Sequence, residues 1–169
     1  LKTILTNYNK DKFNINLYLG NKKEDQTTNE FKEYVNKATN ITFMDDIEVI
    51  NLVRNDKIDI LFDLMGFTSN HRLSLYKNRL APIQISWCGY LNTTGLKEMD
   101  YMIADRNIVP EEEQNLYSEK IIYIDNIWNC HAGYELKRSK YPIPFRQNKF
   151  ITFGSFNNFN KINDSVIAV

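Results

Sequence analysis

The chain has 169 residues, 43% of them hydrophobic and 13% aromatic, which is enough apolar material to bury a core and excludes wholesale disorder. Twenty-one basic residues balance twenty-one acidic ones, so the positive field that a nucleic-acid binder needs is missing. Cys88 and Cys130 make neither a metal spacing nor a disulfide framework, and no apolar run approaches the roughly twenty residues of a membrane span; the expectation is a cytoplasmic protein without nucleic acid or membrane as partner.

In chain order, strand and helix signals alternate. Ile4, Leu5 and Tyr8 repeat at helical spacing from the first residue, and with no initiator methionine at Leu1 more sequence is expected before it. Phe13, Ile15, Leu17 and Leu19 alternate with polar neighbours up to Gly20 and predict a strand. A polar loop over residues 21–29 is expected next, then a surface helix carrying Phe31, Tyr34, Val35 and Ala38. A short strand is predicted at residues 41–44, followed by a helix that carries Ile47, Ile50, Leu52 and Val53. Asp45 and Asp46 at its start read as caps more readily than as an acid/base pair.

Residues 58–64, IDILFDL, are nearly continuous in apolar side chains and predict a central strand covered on both faces. Gly66, Phe67, Thr68 and Ser69 form a turn, and the Leu73, Leu75, Tyr76 and Leu80 pattern predicts a helix over 71–80. Arg72, at its start near the end of a strand, is either a fixed charge for an anion or a solvated surface residue. Ile83, Ile85 and Trp87 then alternate with Gln84 and Ser86 as a half-buried strand. Gly89 permits a turn, and Asn92, Thr93, Thr94 and Gly95 offer hydroxyls, an amide and backbone N–H groups where open α/β sheets place ligands. A solvated loop of small polar residues fits the same string.

Short strands are predicted at 101–104 and 120–124, with a short acidic helix at 110–116 between them. Residues 126–148 break the pattern with Pro142 and Pro144 and predict a connection between domains. Beyond it a second strand-turn-helix unit is expected, with a strand over 150–156, then Asn157, Asn158, Asn160 and Lys161, and then a helix capped at Asn163 and Asp164 that continues beyond Val169. No G-x-G-x-x-G and no P-loop string occurs, which argues against a Rossmann-like oxidoreductase.

The strings DILFDLMGFTSNHR, RLAPIQISWCGYLNTTG, MDYMIADRNIVP, YSEKIIYI and FGSFNNFNKI, in this order and spacing, resemble the catalytic region of the O-linked N-acetylglucosamine transferase and SPINDLY family. The resemblance runs from about Ile58 onward; residues 1–57 match only in the order of elements. It implies an α/β fold, a Rossmann-like parallel sheet with helices on both faces, as part of a two-domain GT-B glycosyltransferase. The first domain would occupy residues 1–146 without its first segment, and residues 147–169 would begin the second, nucleotide-sugar-binding domain. Tetratricopeptide repeats usually precede this region in the family.

The implied activity is inverting, metal-independent transfer of N-acetylglucosamine from UDP-N-acetylglucosamine to serine or threonine hydroxyls of proteins, with no cofactor beyond that donor. Transfer of fucose from GDP-fucose and a non-enzymatic sugar-nucleotide or peptide-binding module are the alternatives. By the same resemblance Lys161 is the catalytic cation, and Asn158, Lys161, Cys88 and Gly89 approach the donor. Gly66, Phe67, Thr68, Arg72, Tyr90 and Thr93 belong to the acceptor side of the cleft. The family's lysine after the threonine is Ser69 here, Leu91 and Asn92 replace a Pro-Gly pair, and Asn126 stands where many members have histidine. The family's proposed histidine base lies in a segment before Leu1, so this stretch by itself is expected to be inactive.

Overall fold

The computed structural model describes residues 1–129, 133 and 141–168. The chain divides into two compact units, Leu1–Ala132 and Gly133–Val169.

The first unit carries α1 (Lys2–Asn7), β1 (Asn16–Leu19), α2 (Gln26–Tyr34), β2 (Lys37–Asn40), α3 (Asp46–Asn55), β3 (Ile60–Asp63), β4 (Ile83–Ser86), β5 (Tyr101–Ala104) and β6 (Lys120–Tyr123). Short 3-10 turns at Leu73–Asn78 and Glu111–Leu116 lie between β3 and β4 and between β5 and β6. β1 and β2 form a parallel pair, and β3-β4-β5-β6 form a parallel four-stranded sheet in sequence order. Every connection inside that sheet must therefore return over a face, the arrangement of a Rossmann-like α/β fold.

The pairing register sorts the side chains into two faces. Leu61, Asp63, Gln84, Ser86, Met102, Ala104 and Ile121 share the buried one. Over its β3 side pack Val49 and Val53 of α3 with Ile41, Leu75, Leu80 and Ala81, and over its β6 side Val109 closes a second cluster with Met102, Ala104 and Ile121. α3 forms where expected because Asp45 and Glu48 make a reciprocal capping box, each side chain taking the other's backbone N–H at 2.8 Å. Asp45 and Glu48 are thereby committed to the helix start, and Asp46 pairs with Arg72.

Several expected elements are placed differently. β3 is an edge strand rather than a central one, and Ile60 and Phe62 on its outer face are 43% and 42% exposed. A continuous apolar run does not identify a strand's neighbours. The polar loop after β1 is shorter than expected, because Asp25 accepts the Thr28 N–H at 2.7 Å and starts α2 at Gln26. The next strand is Lys37–Asn40 rather than residues 41–44. Ile41 N makes the last bond to Leu19 O, and the chain turns as Met44 N reaches back to Ile41 O. The helix expected over 71–80 is only the 3-10 turn Leu73–Asn78, ended by Arg79 in the left-handed region (φ 46°). There the Tyr76 carbonyl accepts from Gln84 Nε2 at 3.0 Å and from Arg79 N at 3.1 Å instead of continuing an α-helical ladder.

The second unit holds α4 (Pro144–Asn148), a 3-10 turn at Phe159–Lys161 and α5 (Asp164–Ile167). α4 lies inside the expected loop and starts on Pro144, whose fixed φ suits a first helical turn. Residues 150–156 form no strand, since no described residue of this unit offers a ladder partner; Phe150, Phe153 and Phe156 are exposed. α5 begins as expected, with the Asn163 side chain accepting from Val166 N at 3.0 Å. Cys130 lies outside the described residues.

Candidate functional site

The turns that leave β3 and β4 interlock at the carboxyl ends of those strands. Asp63, the last residue of β3 and 6% exposed, accepts from Gly66 N at 2.7 Å and Met65 N at 3.3 Å and so bends the chain immediately after the strand. Burial pushes the Asp63 carboxyl above its ordinary range, and these two N–H groups offset part of that shift. Gly66 adopts φ +54°, and a Cβ there would overlap Tyr90 and stand 2.9 Å from its ring carbon Cγ. Gly89 meets the other side of the same turn, where a Cβ would overlap the Leu64 carbonyl and stand 2.8 Å from Met65 Cα.

Phe67 lies edge-to-face with Tyr90 and with His71, ring centroids 5.5 Å apart in both pairs. Thr68 Oγ1 donates to Met65 O at 2.8 Å and tightens the turn. Gly66, Phe67, Thr68, Gly89 and Tyr90 are therefore brought together on one rim, as expected of turns that follow neighbouring strands. Cys88 sits between them with φ +61°, half-buried, its thiol pushed up by burial. Beside it a cavity of about 260 Å³ opens among Ile4, Trp87, Cys88, Ile127 and Trp128. Its wall is fixed by Trp87 Nε1 donating to Trp128 O at 2.9 Å and by Trp128 N donating to buried Asp105 at 2.7 Å. Asn126, in the left-handed region (φ 71°), makes the bend that delivers Ile127 and Trp128.

Two of the expected cleft residues turn elsewhere. Arg72 donates to the carbonyls of Ile41 (3.2 Å) and Met44 (2.9 Å) and to Asp46 (2.5 Å), so its guanidinium ties the end of β2 and the start of α3 to the β3 turn. Thr93 Oγ1 donates to Glu119 at 2.7 Å and lies 3.0 Å from Ser118 Oγ. The segment after Tyr90 thus leaves the strand-end rim and docks on the residues that lead into β6. Sequence reasoning did not single out Asp63, Asp105 or Glu119, three buried acids beside turns; an acid next to a strand boundary and within a few residues of Gly, Asn or Thr was the available signal.

In the second unit, Asn158 caps the 3-10 turn, its side chain accepting from Asn160 N at 3.0 Å. Lys161 ends that turn with its side chain exposed, and its own N–H donates to Asn158 O at 3.0 Å. Among the described residues no group of three or more His, Cys, Asp or Glu side chains is arranged to hold a metal ion.

A parallel α/β sheet whose strand-end turns gather on a glycine-lined aromatic rim defines a Rossmann-like domain with its ligand edge at the carboxyl ends of the strands. The model of glycosyl transferase family 41 matches residues 2–133, and the chain belongs to that family. It is 37% identical over 163 residues to the "Probable UDP-N-acetylglucosamine–peptide N-acetylglucosaminyltransferase SPINDLY" of Eustoma exaltatum subsp. russellianum, covering 94% of this chain and 18% of the relative. To the Oryza sativa subsp. japonica protein of the same name it is 37% identical over 169 residues, covering 98% of this chain and again 18% of the relative. The chain thus spans about a fifth of the length of these relatives. Among solved structures, a Thermobaculum terrenum O-GlcNAc transferase mutant superposes with a TM-score of 0.71 at 28% identity, covering 74% of this chain and 24% of that one.

Proposed function

We propose that the chain is part of an inverting, metal-independent protein O-glycosyltransferase that moves N-acetylglucosamine from UDP-N-acetylglucosamine to serine or threonine hydroxyls of proteins. The observation that carries this reading is the interlock of Gly66–Thr68 with Cys88–Tyr90, because residues that the family resemblance assigns to the cleft are packed against each other there. The names of the family-41 relatives point to the same donor and to protein acceptors.

In the proposed step the acceptor hydroxyl attacks the anomeric carbon from the face opposite the diphosphate. The new carbon–oxygen bond forms as the bond to the phosphate oxygen breaks, the configuration inverts, and the hydroxyl proton leaves to a base that is none of the residues assigned here. Negative charge builds on the departing diphosphate, and the exposed ammonium of Lys161 is the group assigned to meet it, a role in which a fixed cation lowers the barrier without a metal. The Phe67–Tyr90 pair binds and orients, since its rings present an apolar wall, and Gly66 and Gly89 hold that wall in place by the close packing of Gly66 on Tyr90 and of Gly89 on the Leu64 carbonyl.

The test is transfer by the full-length protein from labelled UDP-N-acetylglucosamine to a serine/threonine peptide in the presence of EDTA, with GDP-fucose run in parallel. Incorporation of N-acetylglucosamine with inverted anomeric configuration is the expected result. Fucose incorporation alone would reassign the donor, loss of transfer in EDTA would overturn metal independence, and binding of a donor without transfer would favour the binding-module alternative.

A further inference from the structure

Glu119 is 3% exposed, and its carboxyl group gathers four hydrogen bonds. Oε1 accepts from Thr94 N at 2.7 Å and from Thr94 Oγ1, while Oε2 accepts from Thr93 Oγ1 at 2.7 Å and Ser118 Oγ at 3.1 Å. Ser118 N and Gly95 N in turn donate to Thr93 Oγ1, at 3.2 and 3.1 Å. Thr94 is itself 3% exposed, so the Glu119–Thr94 contact is buried, while Thr93 is half-buried and Ser118 and Gly95 lie at the surface. A buried carboxylate held by this many partners is confined to one position.

The clamp sits close in sequence to the rim. Gly89 and Tyr90 are wedged against Leu64 and Gly66, and Thr93 and Thr94 are held on Glu119. Only Leu91 and Asn92 lie between, both exposed. Three residues of chain reach at most about 11 Å when extended, so a displaced Thr93 pulls directly on Tyr90 and the Cys88–Gly89 turn. With Leu91 and Asn92 in the span, no proline stiffens it, and its course is set by what holds the two ends.

We infer that Glu119 is a positioning residue of the transfer reaction: through Thr93 and Thr94 it sets where Tyr90 stands on the acceptor side of the cleft and where the Cys88–Gly89 turn stands against the donor sugar. This rests on the glycosyltransfer reading above. A misplaced positioning group raises the KM of the substrates it orients or lowers kcat, whereas a mere loss of folded protein lowers the apparent kcat and leaves KM alone.

Two measurements on the full-length protein test it together: steady-state transfer from UDP-N-acetylglucosamine to a serine/threonine peptide, and amide hydrogen exchange over Tyr90–Gly95. Glu119→Ala should raise the donor and peptide KM values about tenfold, and speed exchange of the loop about tenfold with β3–β6 unaffected. Glu119→Gln keeps an acceptor for Thr94 and can donate to Ser118 Oγ, but Thr93 Oγ1 already accepts from Ser118 N and Gly95 N and loses its own acceptor, so the effect should lie between the parent and Glu119→Ala, at about threefold. Glu119→Asp, one methylene short, should behave as the alanine variant does. Thr94→Val is nearly isosteric and should shift the donor KM the same way by about threefold, and with Glu119→Asp it carries the test if Glu119→Ala does not fold. Unchanged loop exchange, or a fall in apparent kcat that merely tracks the folded fraction with both KM values unchanged, would overturn the inference. A parent protein that transfers from neither donor would sink the glycosyltransfer reading and the catalytic use of the clamp with it, while the exchange data would still decide the clamp.

Discussion

Gly89 and the Leu64 carbonyl touch so closely that no side chain fits between them: a Cβ on Gly89 would overlap that oxygen and stand 2.5 Å from the carbonyl carbon. The neighbouring atoms are backbone and cannot rotate away. Gly89→Ala is therefore expected to cost on the order of 3 kcal/mol and to part the two turns. Gly20→Ala, where nothing lies within 4 Å of the new Cβ, should stay within about 0.5 kcal/mol. Urea unfolding of both variants checks this, and equal effects would mean that the turns are not interlocked.

Arg72 is spent on protein partners, and a substitution should report that. Arg72→Ala removes charge-assisted bonds to the Ile41 and Met44 carbonyls and should cost about 2 kcal/mol. Arg72→Lys should recover less than half, because a single ammonium does not reproduce the planar fork. Asp46→Asn should cost under about 1 kcal/mol, since the Asp46 side chain is 60% exposed. Denaturant titration separates the three; a stable Arg72→Ala variant that loses only donor binding would instead assign the guanidinium to the ligand.

Gln84 is wholly buried and makes three side-chain bonds: Oε1 accepts from Leu80 N at 2.9 Å, and Nε2 donates to the carbonyls of Tyr76 (3.0 Å) and Glu98 (2.7 Å). Gln84→Leu leaves all three backbone groups without that partner and is expected to cost about 3 kcal/mol. Gln84→Glu should be no better at neutral pH, because the donor is lost and a charge is buried. Thermal unfolding of the two variants at neutral pH is the check.

The carboxyl of Asp105 is held below its usual range, first by the Trp128 N–H and then by those of Asn107 and Ile108. A depressed folded value contributes stability that is complete above the unfolded value of about 3.9 and is lost as pH falls through the folded one. Asp56 and Asp100 are shifted the same way. The stability difference between the parent and Asp105→Asn should be flat above about pH 5 and shrink below about pH 4, read from urea midpoints. Asp63 has the opposite sign: burial raises its folded value, so its ionised form is the disfavoured one.

Lys161→Ala should leave folding within about 0.5 kcal/mol, since the side chain is exposed, while transfer by the full-length protein falls about a hundredfold. Lys161→Arg should restore part of the rate, because a broad guanidinium replaces a compact ammonium imperfectly at a phosphate. Single-turnover transfer measures this directly. A parent-like Lys161→Ala would remove the lysine from the mechanism.

Alternation of strand and helix, the capping acids of α3, the glycines of the two strand-end turns and the motif strings of family 41 are all local in the chain, and they could be read without a fold. The neighbours of β3 could not, because an apolar run reports how a strand is covered, and Ile60–Asp63 acquires its edge place only from pairing with Ile83–Ser86. Lys37–Asn40 likewise became a strand by pairing with β1, against a helical spacing that ran through Ala38. The use of Arg72 was open in the sequence, where a ligand and solvent were equally plausible partners, and the fold assigned it to carbonyls 28 and 31 residues away. Thr93 read as a cleft hydroxyl, and the tertiary structure gave it to Glu119, 26 residues on. Spacing determines which groups a turn presents, but which partner satisfies a buried hydrogen-bonding group depends on segments that only packing brings together.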